Sequence, residues 1–169
     1  MTKNINIQNK KEALFELQRL KEKQYEYDVK FTNVHLREIN ALVNMNLFSK
    51  NDLFVESNTL WDLMQPLGNS RKHHFHELSP EDILESLNSI TTPYCVLKND
   101  KGRIEIISSI QSHFGVQTIV VIELNSGLVV NSNANVNKMV TMIPKRNAEK
   151  YIKKFPIKQI LYISKGNLK

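Results

Sequence analysis

The fold is decided by residues 93–108, which read PYCVLKNDKGRIEIIS and place two apolar runs on either side of a polar turn. Residues 94–98 and 103–108 have the composition of strands, whereas Asn99-Asp100-Lys101-Gly102 is typical of a tight turn. Before Pro93 the apolar residues recur at helical spacing, and after it they do not. This stretch therefore predicts the point at which helices give way to an antiparallel meander.

Residues on both sides extend this pattern. Further strands are predicted over 116–124, 136–143 and 159–163, with a short helix over 146–155 between the last two. Upstream, Ser79, Pro80 and Asp82 form the start of a helix, with Ser79 as N-cap and Pro80 in the first helical position. A shorter apolar helix is predicted from Asn58 or Thr59 to Met64.

The amino-terminal part is predicted to be a helical or mixed module. Helical spacing of leucines indicates a helix over 9–23, and a second helix over 34–43 is capped by Thr32-Asn33. Between them, residues 25–31 alternate as in a strand but also permit a longer helix. The predicted fold class is α+β: amino-terminal helices, then an antiparallel sheet of about four to five strands with one late helix. Two modules are expected, 1–55 and 56–169.

Composition narrows the classes of function. The chain has 169 residues and a formal charge of +6, which favours an anionic partner such as nucleic acid or an acidic protein. No run of eighteen apolar residues and no secretory leader pattern is present, so a cytoplasmic protein without membrane association is expected. Cys95, in an apolar run, is predicted to fill core rather than react.

A histidine-rich segment at residues 71–78, RKHHFHEL, is the strongest candidate for chemistry. Histidine has an unperturbed pKa near 6.5 and can accept or donate a proton at neutral pH, and adjacent cations favour an anionic substrate. The alternative interpretation is a solvated basic loop. Zinc binding is not indicated, because no second ligand pair accompanies these histidines, and five scattered glycines give no phosphate-binding loop, so no cofactor is predicted.

From about Leu60 to Ser164 the chain resembles the carboxy-terminal domain of phage MuF-type head-morphogenesis proteins, within the nuclease superfold of barnase, EndoU, colicin-type RNases and RelE. The resemblance rests on the order of several short signatures. They are Lys72-His73 with His76-Glu77-Leu78-Ser79, the helix and strand over 84–96, and the later strands Val120-Val121-Ile122-Glu123-Leu124, Val140-Thr141-Met142-Ile143-Pro144-Lys145 and Gln159-Ile160-Leu161-Tyr162-Ile163.

The resemblance implies a metal-independent endoribonuclease, phage-associated or toxin-like, acting in the host cytoplasm if phage-encoded. RNA, with tRNA among the candidates, is the implied substrate, and an immunity or antitoxin protein is a further implied partner. The implied site residues are His73 and His76 as acid or base, Thr141 as strand hydroxyl and Tyr162 as second donor, with Arg71, Lys72 and Lys145 at the phosphate.

Two alternatives remain open. A member that kept the fold but lost catalysis would be a binding protein or inhibitor that engages a host protein or nucleic acid through its basic surface. The aromatic residues of 25–31 would suit such a partner surface if they were exposed. A DNA-binding regulator that uses the amino-terminal helices ranks lower, because no glycine turn of a helix-turn-helix is present.

Overall fold

A computed structural model describes residues 2–67, 75–111, 115–126 and 135–164. The described residues form eight strands and five α-helices. In chain order these are β1 Thr2–Asn6, α1 Lys10–Glu22, β2 Asp28–Thr32, α2 Ile39–Val43, β3 Leu53–Glu56, α3 Ser57–Leu63, α4 Pro80–Asn88, β4 Pro93–Lys98, β5 Ile104–Ser108, β6 Gln117–Ser126, β7 Val136–Lys145, α5 Ala148–Ile152 and β8 Ile160–Ile163. Short 3-10 turns lie at Leu36–Glu38 and Ile157–Gln159.

The strands form one mixed sheet, and the predicted antiparallel sheet of four to five strands is wrong. Their order across the sheet is β1-β2-β3-β7-β6-β5-β4-β8. Two neighbouring pairs are parallel, β1 with β2 and β3 with β7. The first pair is parallel because α1 carries the chain back along the sheet between the two strands, whereas hairpins produce antiparallel neighbours.

The additional strands come from the amino-terminal part, which was predicted to be a helical or mixed module. In β1 and the residue after it, buried Ile5 and Ile7 alternate with exposed Asn4 and Asn6. β3 has only four residues, of which Leu53 and Val55 are buried. Such short runs give a weak period-two pattern, so their pairing partners decide whether they form strands. Residues 28–32, where the sequence permits either helix or strand, form β2.

The elements around residue 93 follow the sequence closely. β4 and β5 are joined by the expected turn, in which the Asn99 side-chain oxygen accepts hydrogen bonds from the amides of Lys101 and Arg103, both at 3.0 Å. Gly102 has φ +78°, which favours glycine at this position. The Ser79 hydroxyl accepts from the Asp82 amide, and the Asp82 carboxylate accepts from the Ser79 amide. The predicted start of α4 is thus confirmed as a capping box.

The sheet has a core on each face. The main core lies under α1, α3 and α4, and it joins residues from both ends of the chain, such as Phe31 of β2 and Val96 of β4. A smaller core, including Cys95, lies under α5. Strands of residues 1–55 therefore share one sheet and one core with the strands of the later part. None of the helices in the described ranges is long and apolar enough to span a membrane.

Asp28 is an unusual charged residue at the start of β2. Its side chain is 1% exposed, and neither carboxylate oxygen has a hydrogen-bond partner within the described part of the chain. Burial raises its pKa, and the neighbouring Glu56 carboxylate raises it further, while Lys138 acts in the opposite direction. Glu56 is itself paired with Lys138 at 2.6 Å. Asp28 therefore carries a charge at neutral pH only at a cost to folding.

Replacing Asp28 by asparagine is expected to stabilise the protein at pH 7, because the amide keeps the shape and removes the buried charge. The folded-state pKa lies above the unfolded value of 3.8, so the folded state holds the extra proton. The contribution of Asp28 to the stability of the wild type should thus fall as pH rises from about 4 through its folded-state pKa. Chemical denaturation of Asp28→Asn across this range should show a smaller fall.

Asp52→Asn is the matched control for this substitution. Asp52 also lies beside the amino-terminal strands, but it forms a partly exposed ion pair with Lys30 at 3.4 Å, which contributes little. We expect its loss to change the free energy of unfolding by less than about 1 kcal/mol. An Asp28→Asn protein that is less stable than wild type at pH 7 would show that the carboxylate has a favourable partner.

Candidate functional site

Helix α3 is the element around which candidate site residues gather. It begins directly after β3 and is fixed to the start of β2 by Ser57, whose hydroxyl donates to the Tyr25 carbonyl and accepts from the Tyr27 amide. Leu60 and Leu63 pack into the main core. Ser57 is 1% exposed, so both bonds are made away from water and hold the helix start in one place.

The described part of the histidine segment runs beside the carboxyl end of α3. The Glu77 amide donates to the Gln65 carbonyl, and the Leu78 amide donates to the Leu63 carbonyl, both at 2.9 Å. The Phe75 ring meets the Trp61 ring edge-on at 5.6 Å between centroids. His76, between these anchored residues, is half-buried. The predicted site residues Arg71, Lys72 and His73 lie outside the described residues.

Thr141 approaches α3 from the sheet. β7 pairs with β3 only at Asn137 and Lys138, because β3 then gives way to α3, which flanks the rest of β7. Val121 pairs with Thr141 and Ile122 with Met139, so the intervening residue is extra and forms a β-bulge. A pocket of about 140 Å³ opens here, lined by Thr59, Asp62, Leu63, Val140 and Thr141.

Leu63 contacts both the histidine segment and the pocket that contains Thr141. Its carbonyl accepts a hydrogen bond from the amide of Leu78, two residues after His76, and the residue also lines the pocket. The structure thus holds the backbone just after His76, and the pocket that contains Thr141, at the same short helix. Sequence reasoning missed Thr59 and Asp62, which line this pocket. The available signal was their spacing of three residues, which puts both on one face of a helix.

Two predicted site residues lie elsewhere. Tyr162 is on β8, pairs with Val96 and packs against the main core. Three strands separate β8 from β7, which corresponds to about 19 Å along the sheet at the usual strand spacing. Lys145, at the end of β7, lies with its ammonium 5.2 Å from the centroid of the Tyr151 ring on α5. Neither belongs to the group at α3.

No family model, curated protein or solved structure matches this chain. The resemblance to the MuF-type domain therefore stays a prediction, and so do the residue roles that it implies.

A second polar group lies under α5 and holds that helix to the sheet. Glu105, which is 4% exposed, accepts hydrogen bonds from the Tyr151 hydroxyl and from the Asn99 side-chain amide. Burial raises the pKa of Tyr151, and the hydrogen bond to Glu105 raises it further. Burial also raises the pKa of the Cys95 thiol to about 12. The thiol is therefore protonated at neutral pH, and the prediction that Cys95 fills core is confirmed.

Metal-ligating side chains do not gather among the described residues. Within those ranges no group of three or more His, Cys, Asp or Glu residues could hold a metal ion. The α3 pocket contains one carboxylate, that of Asp62, with hydroxyls from Thr59 and Thr141. This set suits hydrogen bonding to a polar ligand and proton transfer.

Proposed function

We propose that this protein is a metal-independent endoribonuclease whose site lies at α3, between the histidine segment and β7. The observation that carries the proposal is the position of Leu63, which contacts both the segment after His76 and the Thr141 pocket. The backbone beside His76 and the pocket that contains the Thr141 hydroxyl, distant in sequence, thereby meet at one helix. The net charge of +6 favours a polyanionic substrate.

The reaction proposed needs no group from outside the protein and RNA. The ribose 2′-oxygen attacks the adjacent phosphorus while a base accepts the 2′-hydroxyl proton. The bond from phosphorus to the 5′-oxygen of the next nucleotide breaks, and an acid donates a proton to that oxygen. The products are a 2′,3′-cyclic phosphate and a free 5′-hydroxyl, so atoms and charges balance.

Each residue at α3 has a role in this reaction. His76 transfers a proton as acid or base. The Thr141 hydroxyl donates a hydrogen bond to a phosphate oxygen, whose charge grows as the bond is made. Asp62 brings a carboxylate to the pocket of Thr141, where it accepts hydrogen bonds from the substrate. The predicted cations Arg71 and Lys72 complete the proposal as phosphate partners.

The biological setting is also proposed. A small RNA-cleaving protein acting in the cytoplasm would need control, which an immunity or antitoxin protein would supply. The resemblance to a phage domain favours a phage-associated or toxin-like origin. Transfer RNA is a candidate substrate because its loops expose unpaired nucleotides that an active site can reach.

The test is cleavage of a defined RNA by the purified protein in excess EDTA. We expect products that end in a 2′,3′-cyclic phosphate. A matched oligonucleotide with one 2′-deoxyribose should resist cleavage at that position, because it lacks the attacking oxygen. Cleavage that needs added metal, or that continues at the deoxy position, would contradict the mechanism.

The binding-protein alternative is favoured by one observation. Tyr162 and Lys145, both expected at the reacting phosphate, lie away from Thr141. A folded protein that retains RNA but does not cleave it would support this alternative over the enzyme. Retention of RNA on a filter, measured beside the cleavage assay, separates the two functions.

A further inference from the structure

Tyr25 has an aromatic ring close to two cations at the carboxyl end of α1 and 5.4 Å from the Tyr27 ring, between centroids. The Arg19 guanidinium carbon lies 5.6 Å from the ring centroid, and the Lys23 ammonium lies 5.3 Å from it. Tyr25 is half-buried and packs against the main core. The neighbouring Tyr27 is 7% exposed and Phe31 is fully buried. Of the aromatic residues of 25–31, only Tyr25 can meet a partner.

The cations at this end of α1 differ in whether they form an ion pair. Arg19 is ion-paired with Glu16 at 3.1 Å. Lys21 and Lys23 make no ion pair with any residue in the described ranges, and the neighbouring Glu22 accepts a hydrogen bond from Gln18 instead. We call Arg19, Lys23 and Tyr25 the Tyr25 platform. Its lysine is available to an anionic ligand.

Gln65 connects this platform to the proposed site. Its side-chain amide donates to the Lys21 carbonyl at 3.1 Å and to the Trp61 carbonyl at 2.9 Å. Its own carbonyl accepts from the amide of Glu77, the residue after His76, at 2.9 Å. One glutamine thus spans from the end of α1 to the histidine segment.

The chemistry of the platform favours single-stranded nucleic acid. An aromatic ring can stack on a base, and an adjacent lysine neutralises a neighbouring phosphate. An acidic protein would use the lysine but has no need of the ring. Lys21 and Arg19 also lie in the last turn of α1, where cations offset the helix dipole. Lys23 follows that turn, so replacing it tests RNA binding without changing the charge in the last turn of the helix.

We infer that the Tyr25 platform binds single-stranded RNA by stacking a base on Tyr25, and that it leads the strand toward His76. This inference rests on the proposed function for the direction of the strand, but the binding itself does not require cleavage. It makes α1, from the amino-terminal part of the chain, a substrate-binding element of the enzyme.

The experiment is fluorescence anisotropy with a labelled single-stranded RNA of about 12 nucleotides, 2′-O-methylated at every ribose so that it cannot be cleaved. Tyr25→Leu keeps an apolar side chain against the core but removes the ring, and it should weaken binding on the order of 5- to 150-fold. Tyr25→Phe should bind as wild type. Lys23→Gln should weaken binding and reduce the slope of log affinity against log salt by about 0.7.

Lys30→Gln is the matched control, because Lys30 has the same kind of contact elsewhere, 5.8 Å from the Phe54 ring centroid. It removes one positive charge and should leave RNA affinity nearly unchanged. Lys23 is exposed, so its variant tests the inference even if Tyr25→Leu unfolds. Wild-type affinity in both Tyr25→Leu and Lys23→Gln, or an equal loss in Lys30→Gln, would overturn the inference.

The outcomes separate this inference from the proposed function. Binding that depends on Tyr25 and Lys23, without cleavage of unmodified RNA, would support the platform and contradict the enzyme. If the Tyr25 and Lys23 variants bind RNA as wild type does and still cleave it, the enzyme is supported and the platform is contradicted. If a poly-glutamate peptide, but not RNA, binds through Lys23, the platform serves an acidic protein and the inference is wrong.

Discussion

Replacing His76 by alanine is expected to slow RNA cleavage by roughly 10²- to 10⁴-fold, the usual loss when a proton-transfer group is removed. His76 is half-buried in a segment whose backbone is bonded to the end of α3, so the truncation should leave that segment in place. The measurement is the single-turnover rate on a labelled RNA in EDTA. Affinity for uncleavable RNA should change little, because the histidine acts in the reaction step.

Chemical rescue distinguishes proton transfer from a structural role. Added imidazole should restore part of the rate in His76→Ala, since it can enter the space left by the side chain and carry the proton. His35→Asn is the control, because His35 has φ +61° in a turn before α2 and asparagine tolerates that conformation. It should cleave as wild type. A His76→Ala protein with the full rate would place the proton-transfer group elsewhere.

Local patterns predicted the elements that carry their own signals. β4 and β5 have apolar runs and a turn with glycine where φ is positive, and the first residues of α4 have the sequence of a capping box. Nothing local indicates that β3 should pair with β7, because Leu53 and Asn137 are far apart in the chain. That single pairing joins the amino-terminal strands to the meander and turns a small antiparallel sheet into a large mixed one.

The same limit applies to the site. His76 was identified from composition, because histidines among cations are chemically distinctive. Asp62 and Thr59 were not, since on α3 they have the spacing of any helix face. They become site candidates only when β3 and β7 pair, because this brings Thr141 beside α3. Conversely, Tyr162 had a suitable side chain, but strand order places it away from β7.

Replacing Phe31 by alanine is expected to lower the free energy of unfolding by about 3–5 kcal/mol. Phe31 is fully buried in β2 and belongs to the main core, so truncation removes its contacts and leaves a cavity. The chain has one tryptophan, Trp61, which lies on α3 beyond residue 55. Its fluorescence therefore reports the unfolding of the later part of the chain, while the substitution lies in the earlier part.

If residues 1–55 and 56–169 unfold together, the Trp61 transition in urea should shift by as much as the far-ultraviolet circular dichroism transition. We expect this result, because the main core contains side chains from both ranges.

Phe15→Ala, at a ring that is 63% exposed, should change stability by less than about 0.5 kcal/mol. Phe31→Leu gives a milder change, of less than about 1.5 kcal/mol, should the alanine variant be unfolded. A Trp61 transition that stays at its wild-type midpoint while half the dichroism is lost would instead show that the amino-terminal part unfolds alone. The Tyr25 platform would then sit on a unit that opens independently of α3, and RNA affinity in Phe31→Leu would fall before cleavage chemistry did.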